Sequence, residues 1–142
     1  MNDYTYEDIK VGMNISFEKE ITTDMEDMFR AITGDENPLH KDDDFAKSNS
    51  DGRFPRHVTF GMLTASLCST VAGMYLPGKN SLIHSFDEIS FKKPVFTEDV
   101  LTVEAKVTDK NDELKLIFIK VIIRNCYGEI VSRARMKVLV MK

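Results

Sequence analysis

The chain has 142 residues, enough for one domain with a substantial hydrophobic core. Hydrophobic residues make up 42% and charged residues 30%, a balance that is typical of soluble globular proteins and excludes disorder. The net charge is −4 and the lysines and arginines are scattered, which argues against nucleic acid as a partner.

Location is predicted from the chain start and the cysteines. The first residues contain neither a basic start nor an apolar run, and no apolar stretch approaches the length of a membrane span, so we expect neither a signal peptide nor a membrane anchor. Cys68 and Cys126 lie in apolar segments without metal-type spacing. We therefore expect two buried free thiols and a cytoplasmic protein.

The first predicted elements are a short strand over roughly 13–17 and a helix that follows it. Thr23 and Glu26 fit a capping box, and Gly34 supplies the helix stop. The apolar positions that recur at helical spacing are Met25, Met28, Phe29 and Ile32. This helix leads directly into the loop at 35–40.

The loop places a carboxylate, Asp35, and an imidazole, His40, five positions apart in the stretch Thr-Gly-Asp-Glu-Asn-Pro-Leu-His at 33–40. A carboxylate beside a histidine fixes its tautomer and raises its basicity, so the two form a candidate proton-transfer pair. The alternative is structural: Gly34 caps the helix, and the following Asp, Asn and Pro are ordinary turn formers.

Two further segments precede the middle of the chain. Asp42, Asp43 and Asp44 are followed by no glycine-hinged calcium loop, so we interpret them as a solvated helix start. Residues 48–57 have the composition of a loop.

The segment at about 59–75 is predicted to be a buried helix. Its large apolar residues alternate only with small ones, and no residue over 61–75 is charged. A helix that is apolar or small on every side is a buried one, and in a chain of this length it needs a sheet around it.

The second half supplies that sheet as four predicted strands, at 82–91, 101–107, 114–124 and 130–140. Residues 130–140 alternate between an apolar face and a face with Arg133, Arg135 and Lys137, after a turn at Tyr127-Gly128. Residues 114–123 are apolar on both faces over much of their length, as in a central strand or one covered by a second subunit. The predicted fold class is α+β, a long antiparallel sheet wrapped around one buried helix.

Four motifs follow one another within roughly residues 20–108. They are TGDENPLH at 33–40, GMLTASL at 61–67, LPG at 76–78 and SFKKPV at 90–95. In order and spacing they resemble those of the MaoC-like hydratases of the hotdog fold, in particular the (R)-specific enoyl-CoA hydratases. The resemblance implies a hotdog fold and a single MaoC-like domain over 1–142.

The resemblance also implies catalytic roles. The family's catalytic acid falls on Asp35, its catalytic histidine on His40, and its oxyanion donor, a backbone N–H at the start of the central helix, on Gly61. Glycine suits this last role because a missing Cβ lets a thioester oxygen approach and helix N-termini present free N–H groups.

Other positions match residues of the family's substrate site. Ser66 and Ser69 are expected to line it, although Ser69 is equally explained by close helix packing. Asn37 matches a position where the family usually keeps asparagine, and loop stabilisation is an equal explanation. Phe60 stands where the family usually has histidine, so we expect it to alter chain-length preference or rate, and His57 is not assumed to substitute. Candidates for the phosphates of coenzyme A, or ordinary surface charges, are Lys92, Lys93, Arg53 and Arg56.

The implied reaction is the reversible addition of water across the 2,3 double bond of a trans-2-enoyl thioester. Asp35 and His40 would hold and activate the water, and the Gly61 N–H would stabilise the enolate-like oxygen. The resemblance implies no metal or redox cofactor and a homodimer with its site near the interface. The acyl carrier is either coenzyme A or acyl-carrier protein.

Four alternatives remain. Hotdog thioesterases and the dehydratases of fatty-acid synthesis commonly carry a catalytic carboxylate on the central helix, and residues 61–75 contain neither Asp nor Glu. A non-catalytic acyl-CoA-binding subunit is favoured only by Phe60. A zinc site built from His40, His57 and nearby acids fits no ligand spacing.

Overall fold

The computed structural model describes residues 1–142 and is built on one five-stranded antiparallel sheet. The strands, in chain order, are β1 (Asn14–Glu20), β2 (Ser81–Phe91), β3 (Val100–Asn111), β4 (Leu116–Arg124) and β5 (Ile130–Val140). Their order across the sheet is β1-β3-β4-β5-β2, so β1 and β2 are the edges. The predicted α+β architecture is confirmed.

The positions of β4 and β5 explain their sequence patterns. β4 pairs with β3 on one side and β5 on the other, so it is the central strand, as its two apolar faces predict. In β5, Ala134, Met136 and Val138 are buried, whereas Arg133 and Arg135 are exposed. The alternation predicted for this strand is confirmed.

The helix against the sheet consists of three pieces: α3 (Gly61–Ala65), α4 (Leu67–Thr70) and a π-helical turn (Val71–Tyr75). We call Gly61–Tyr75 the central helix. The continuous helix predicted here is interrupted at Ser66, whose hydroxyl donates to the Leu63 carbonyl at 2.6 Å. Such a side-chain bond competes with the backbone ladder.

The central helix is buried on one side only, which corrects the prediction of all-round burial. Leu63, Leu67 and Val71 belong to the core cluster, but Met62 is 58% and Met74 43% exposed. A single chain has too few elements to cover the outer face of this helix. No helix of the molecule has the length and apolarity needed to span a membrane.

Helix α1 (Thr23–Thr33) begins one residue earlier than the capping-box prediction requires. The N-cap is Thr22, whose hydroxyl oxygen accepts a hydrogen bond from the Met25 N–H at 3.2 Å. Glu26 is therefore free of any capping role, and its side chain is buried. Of the predicted apolar stripe, Met28 and Ile32 remain exposed. Gly34 ends the helix at φ 72°, as predicted.

The short segments around α1 and the central helix complete the fold. A 3₁₀ turn (Pro38–His40) precedes α2 (Asp43–Asn49), whose N-cap Asp42 accepts from the Phe45 N–H. The aspartate run is thus a helix start, as predicted.

A glutamate occupies a left-handed backbone conformation in the loop before β3. Glu98 has φ 74°, where residues other than glycine are strained. We expect Glu98→Gly to raise the free energy of unfolding by about 0.5–1 kcal/mol. This is the backbone strain that is relieved, minus the cost of the greater conformational entropy that glycine loses on folding. Denaturant unfolding measures it, with Glu104→Gly in the extended strand β3 as the matched control. Equal losses in both variants would contradict the prediction.

The two cysteines differ in exposure, which corrects the prediction that both are buried. Cys68 lies in the core, and burial raises the pKa of its thiol to about 11, whereas Cys126 is exposed in the turn between β4 and β5. The thiolate is the reactive form, so Cys68 stays inert near pH 8. We expect a thiol reagent to label one cysteine per native chain and two after denaturation. Fast labelling of both in the native protein would contradict this.

Candidate active site

The loop between α1 and the 3₁₀ turn is shaped by its own side chains. The Gly34 N–H donates to the Arg30 carbonyl, and Asp35 Oδ1 then accepts from the Asn37 N–H at 3.0 Å. Asn37 Oδ1 in turn accepts from the Leu39 N–H at 3.0 Å, which caps the 3₁₀ turn. The contacts of Asn37 are thus those of a loop-stabilising residue.

His40 is oriented by a backbone carbonyl. Its Nδ1 lies 2.7 Å from the Val58 oxygen, and because a carbonyl only accepts, Nδ1 carries the hydrogen. In the neutral ring the lone pair is then on Nε2. We expected Asp35 to fix this tautomer, but the contact belongs to Val58, and Asp35 makes no hydrogen bond to the imidazole.

Phe60 packs behind the His40 ring. The two ring centroids are 4.3 Å apart, and Phe29 contacts Phe60 from another side at 5.0 Å. The Arg30 guanidinium lies 5.8 Å from the Phe60 ring centroid. Phe60 is only 2% exposed, so it acts as a rigid support for the imidazole.

The predicted catalytic residues meet at one small cavity of about 170 Å³. Asp35 enters it from the loop, His40 from the 3₁₀ turn and Gly61 from the start of the central helix. The other residues that line it are Phe29, Thr33, Phe60 and Met62. An acid, an imidazole and a helix start are therefore brought to one place.

A second cavity of about 350 Å³ shares His40 and Gly61 with the first. Phe91, Lys92 and Lys93 form part of its lining. The Lys93 ammonium is paired with the Glu129 carboxylate, while Lys92 has no ion-pair partner. A volume of this size suits a small-molecule group.

Ser66 and Ser69 line neither of these cavities. Both are exposed on the outer face of the central helix, and the Ser66 hydroxyl is engaged by the Leu63 carbonyl. Within one chain the structure therefore separates them from His40. Arg56 donates to the Thr97 carbonyl and Arg53 to the Ser50 carbonyl, so both guanidinium groups have partners within the chain.

The start of the central helix offers free donors. The N–H groups of Gly61 and Met62 have no acceptor in the structure, as expected for the first turn of a helix. A Cβ added at Gly61 would lie 3.1 Å from Cε1 of Phe91, so the glycine leaves the approach to these donors open.

Sequence reasoning missed one group near the site, which we call the His57 cluster: Glu26, Asp43, His57 and Thr97. His57 Nδ1 lies 2.6 Å from Asp43 Oδ1, and Nε2 lies 3.0 Å from Thr97 Oγ1 and 3.2 Å from Glu26 Oε2. The His57 backbone N–H also donates to Asp43, and these two bonds hold the pKa of that carboxyl below its usual value. The only sequence signal for this cluster is an acid, Glu26, on the inner face of α1. Recognising that this acid is buried requires the correct register of the helix.

The cluster is not arranged as a metal site. No group of three or more His, Cys, Asp or Glu side chains in the molecule is placed to hold a metal ion. The zinc alternative built on His40 and His57 therefore gains no support from the geometry.

Sequence comparison adds relatives with assigned activities. A model of the MaoC-like domain matches residues 8–124. An (R)-specific enoyl-CoA hydratase of Aeromonas caviae is 40% identical over 100 residues, 70% of this chain and 72% of that protein. A 3-hydroxybutyryl-CoA dehydratase of Methylorubrum extorquens is 34% identical over 104 residues, 73% of this chain and 64% of that protein.

Comparison with solved structures also finds a hydratase. The (R)-hydratase of A. caviae, described as involved in PHA biosynthesis, superposes with a TM-score of 0.85 at 32% identity, over 93% of this chain and 97% of that one. The match extends over nearly the whole of both chains, which confirms the predicted hotdog fold.

Proposed function

This chain belongs to the MaoC-like domain family, and we propose that it is an (R)-specific enoyl-CoA hydratase, a hydro-lyase that adds water to trans-2-enoyl-CoA. The observation that supports this most is the small cavity lined by Asp35, His40 and Gly61 together. We treat residues 1–142 as one catalytic domain of this kind.

Water activation is assigned to Asp35 and His40. His40 presents the Nε2 lone pair because Nδ1–H is bonded to Val58, so Nε2 can accept a proton from water. Asp35 uses Oδ1 for the Asn37 N–H and keeps Oδ2 for a second contact to the same water. The water oxygen bonds to C3, and the proton is delivered to C2 on the same face.

Stabilisation of the thioester oxygen is assigned to the Gly61 N–H. As the C3–O bond forms, negative charge develops on the oxygen of C1. A free, fixed donor aimed at that oxygen lowers the barrier without any reorganisation. Asp35, His40 and Gly61 account for every proton and charge of the reaction, so no metal or redox cofactor is required.

The larger cavity is proposed to hold the thioester and the adjoining part of its carrier. Its apolar wall includes Phe54, Phe91 and Val95, and its rim carries Lys92 and Lys93. Lys92, which has no ion-pair partner, is the better candidate for a coenzyme A phosphate. Arg53 and Arg56 are weaker candidates because their guanidinium groups already bond to carbonyls.

The exposed apolar surface supports a homodimer, and the two free cysteines support a cytoplasmic location. The outer face of the central helix leaves Met62 and Met74 uncovered, and the unpaired edge strand β2 exposes Leu82 (56%) and Phe91 (50%). Because Phe91 also lines the larger cavity, a second copy along β2 would lie next to the site and cover the Ser66 and Ser69 face. Apolar surface of this kind marks an interface.

The dimer makes a prediction of its own. We expect the native protein to sediment at twice the chain mass of 16.2 kDa. Leu82→Arg should shift it toward the monomer, because a charge on the edge strand opposes pairing. The exposed Lys19→Arg in β1 is the control. A wild-type monomer at micromolar concentration would contradict the proposal.

A second candidate is a non-catalytic acyl-CoA-binding subunit, favoured by Phe60 in place of the usual histidine. A hotdog thioesterase is less well supported, since the central helix carries no acid. Offering (R)- and (S)-3-hydroxybutyryl-CoA and following enoyl formation separates these functions. The hydratase converts only the (R) form; a thioesterase releases free coenzyme A, and a binding subunit changes neither.

A further inference from the structure

We propose that His57 is a positioning residue for His40: held between Asp43 and the buried Glu26, it anchors the loop whose Val58 carbonyl sets the His40 tautomer. The inference rests on the proposed function for its catalytic consequence. Its structural part, the tautomer of the His40 imidazole, does not depend on the proposed function.

His57 is held from every direction in which its ring has a polar atom. Nδ1 meets Asp43 of α2 at 2.6 Å, and Nε2 meets Thr97 and Glu26 at 3.0 and 3.2 Å. The Thr97 hydroxyl also donates to the Glu26 carboxylate. One side chain therefore joins α1, α2 and the loop before β3.

The buried Glu26 carboxylate is the inner contact of the His57 ring. Its side chain is 3% exposed, and a buried carboxylate needs partners. The Thr97 hydroxyl donates to Oε1, whereas Oε2 accepts no hydrogen bond and has its only ion-pair contact with His57 Nε2, at 3.2 Å. The ring of His57 is thus tied to a fixed point of the interior.

The next residue transmits this constraint to His40. The Val58 N–H donates to the Leu39 carbonyl at 3.0 Å, and the Val58 carbonyl accepts from His40 Nδ1 at 2.7 Å. Both backbone polar groups of Val58 therefore contact the segment that carries His40. Val58 belongs to the loop before the central helix. The peptide that carries its carbonyl is also held by the Thr59 N–H, which donates to the Val95 carbonyl at 2.8 Å, and His57 adds a side-chain anchor immediately before it.

Proton positions on the imidazole test this without any substrate. The chain has three histidines, so a ¹⁵N-labelled His57→Leu sample retains only His40 and His84, and the matched His84→Leu sample identifies the His40 signals. In the wild type the neutral His40 ring should carry its proton on Nδ1. In His57→Leu the proton should be shared between Nδ1 and Nε2.

Kinetics give the second readout. We expect His57→Leu to lower kcat for hydration about 10-fold with KM nearly unchanged, at the low end of the range seen when a group that orients a metal-bound histidine is removed. If His57→Leu does not fold, Asp43→Ala removes the acceptor at the exposed end of the cluster, and the same tautomer mixing and kcat loss are expected.

The outcomes separate this inference from the hydratase proposal. Tautomer mixing together with a lower kcat supports it. An unchanged His40 tautomer overturns it, whether or not kcat falls. Tautomer mixing in a chain whose wild type converts no enoyl-CoA supports the positioning role and overturns the hydratase proposal.

Discussion

Replacing His40 with alanine is expected to lower kcat for enoyl-CoA hydration by about 10²–10⁴-fold, the usual contribution of a positioned proton-transfer group. The variant loses the Nε2 lone pair that accepts the water proton. KM should change little, because the larger cavity that holds the thioester keeps its other walls. Steady-state kinetics measure both constants, and circular dichroism checks the fold.

Asp35→Asn tests the other half of the pair. The amide keeps an oxygen for the Asn37 N–H, so the loop is retained while the charge is lost. We expect a loss of similar size, and the double variant should be hardly worse than either single one, because groups that act as a unit are not additive. The control is the adjacent, exposed Lys41→Ala. A loss in Lys41→Ala equal to that in His40→Ala would remove the special role of the pair.

Gly61→Ala is expected to lower kcat about 10²-fold, the effect of losing one oxyanion donor. The new Cβ would lie 3.1–3.4 Å from three atoms of the Phe91 ring. Either the ring moves into the cavity or the helix start moves away from the thioester oxygen. In both cases the N–H no longer meets the developing charge at hydrogen-bond distance.

The matched control lies on the same helix. A Cβ at Gly73 meets no atom within 4 Å, so Gly73→Ala should leave kcat within about twofold of the wild type while raising helix propensity. Equal kinetics in the two alanine variants would show that the start of the central helix is not the oxyanion site.

The strands were the most predictable part of the fold, because the period-two alternation of apolar and polar residues is visible directly in the sequence. In β5 the exposed Arg133 and Arg135 follow the alternation directly. The burial of the central helix was less predictable. An uncharged helix indicates that something covers it, but within one chain the sheet reaches only one side, and Met62 and Met74 stay exposed.

The register of α1 explains another difference between the prediction and the structure. Thr22 and Thr23 are both acceptable N-caps, and choosing Thr23 assigns Glu26 to a capping box. The observed Thr22 cap leaves Glu26 buried beside His57. Cys126 follows β4 in the sequence and its turn carries it into solvent, which apolar neighbours do not reveal.

The candidate site also has a part that the sequence predicts and a part that it does not. Asp35, His40 and Gly61 come from compact motifs and all three line one cavity, while their catalytic roles stay a prediction. The His57 cluster combines residues 26, 43, 57 and 97, which only the fold brings together. The partner of His40 is a backbone carbonyl, and a carbonyl has no signature in the sequence.

The hydratase activity is tested most directly by the loss of enoyl absorbance when the purified protein is mixed with crotonyl-CoA, measured for the wild type, Asp35→Asn and His40→Ala in parallel. We expect rapid loss of absorbance with the wild type, (R)-3-hydroxybutyryl-CoA as the product, and near-complete loss of turnover in both variants. A folded wild type that turns over neither crotonyl-CoA nor a longer enoyl-CoA, or variants as active as the wild type, would contradict it.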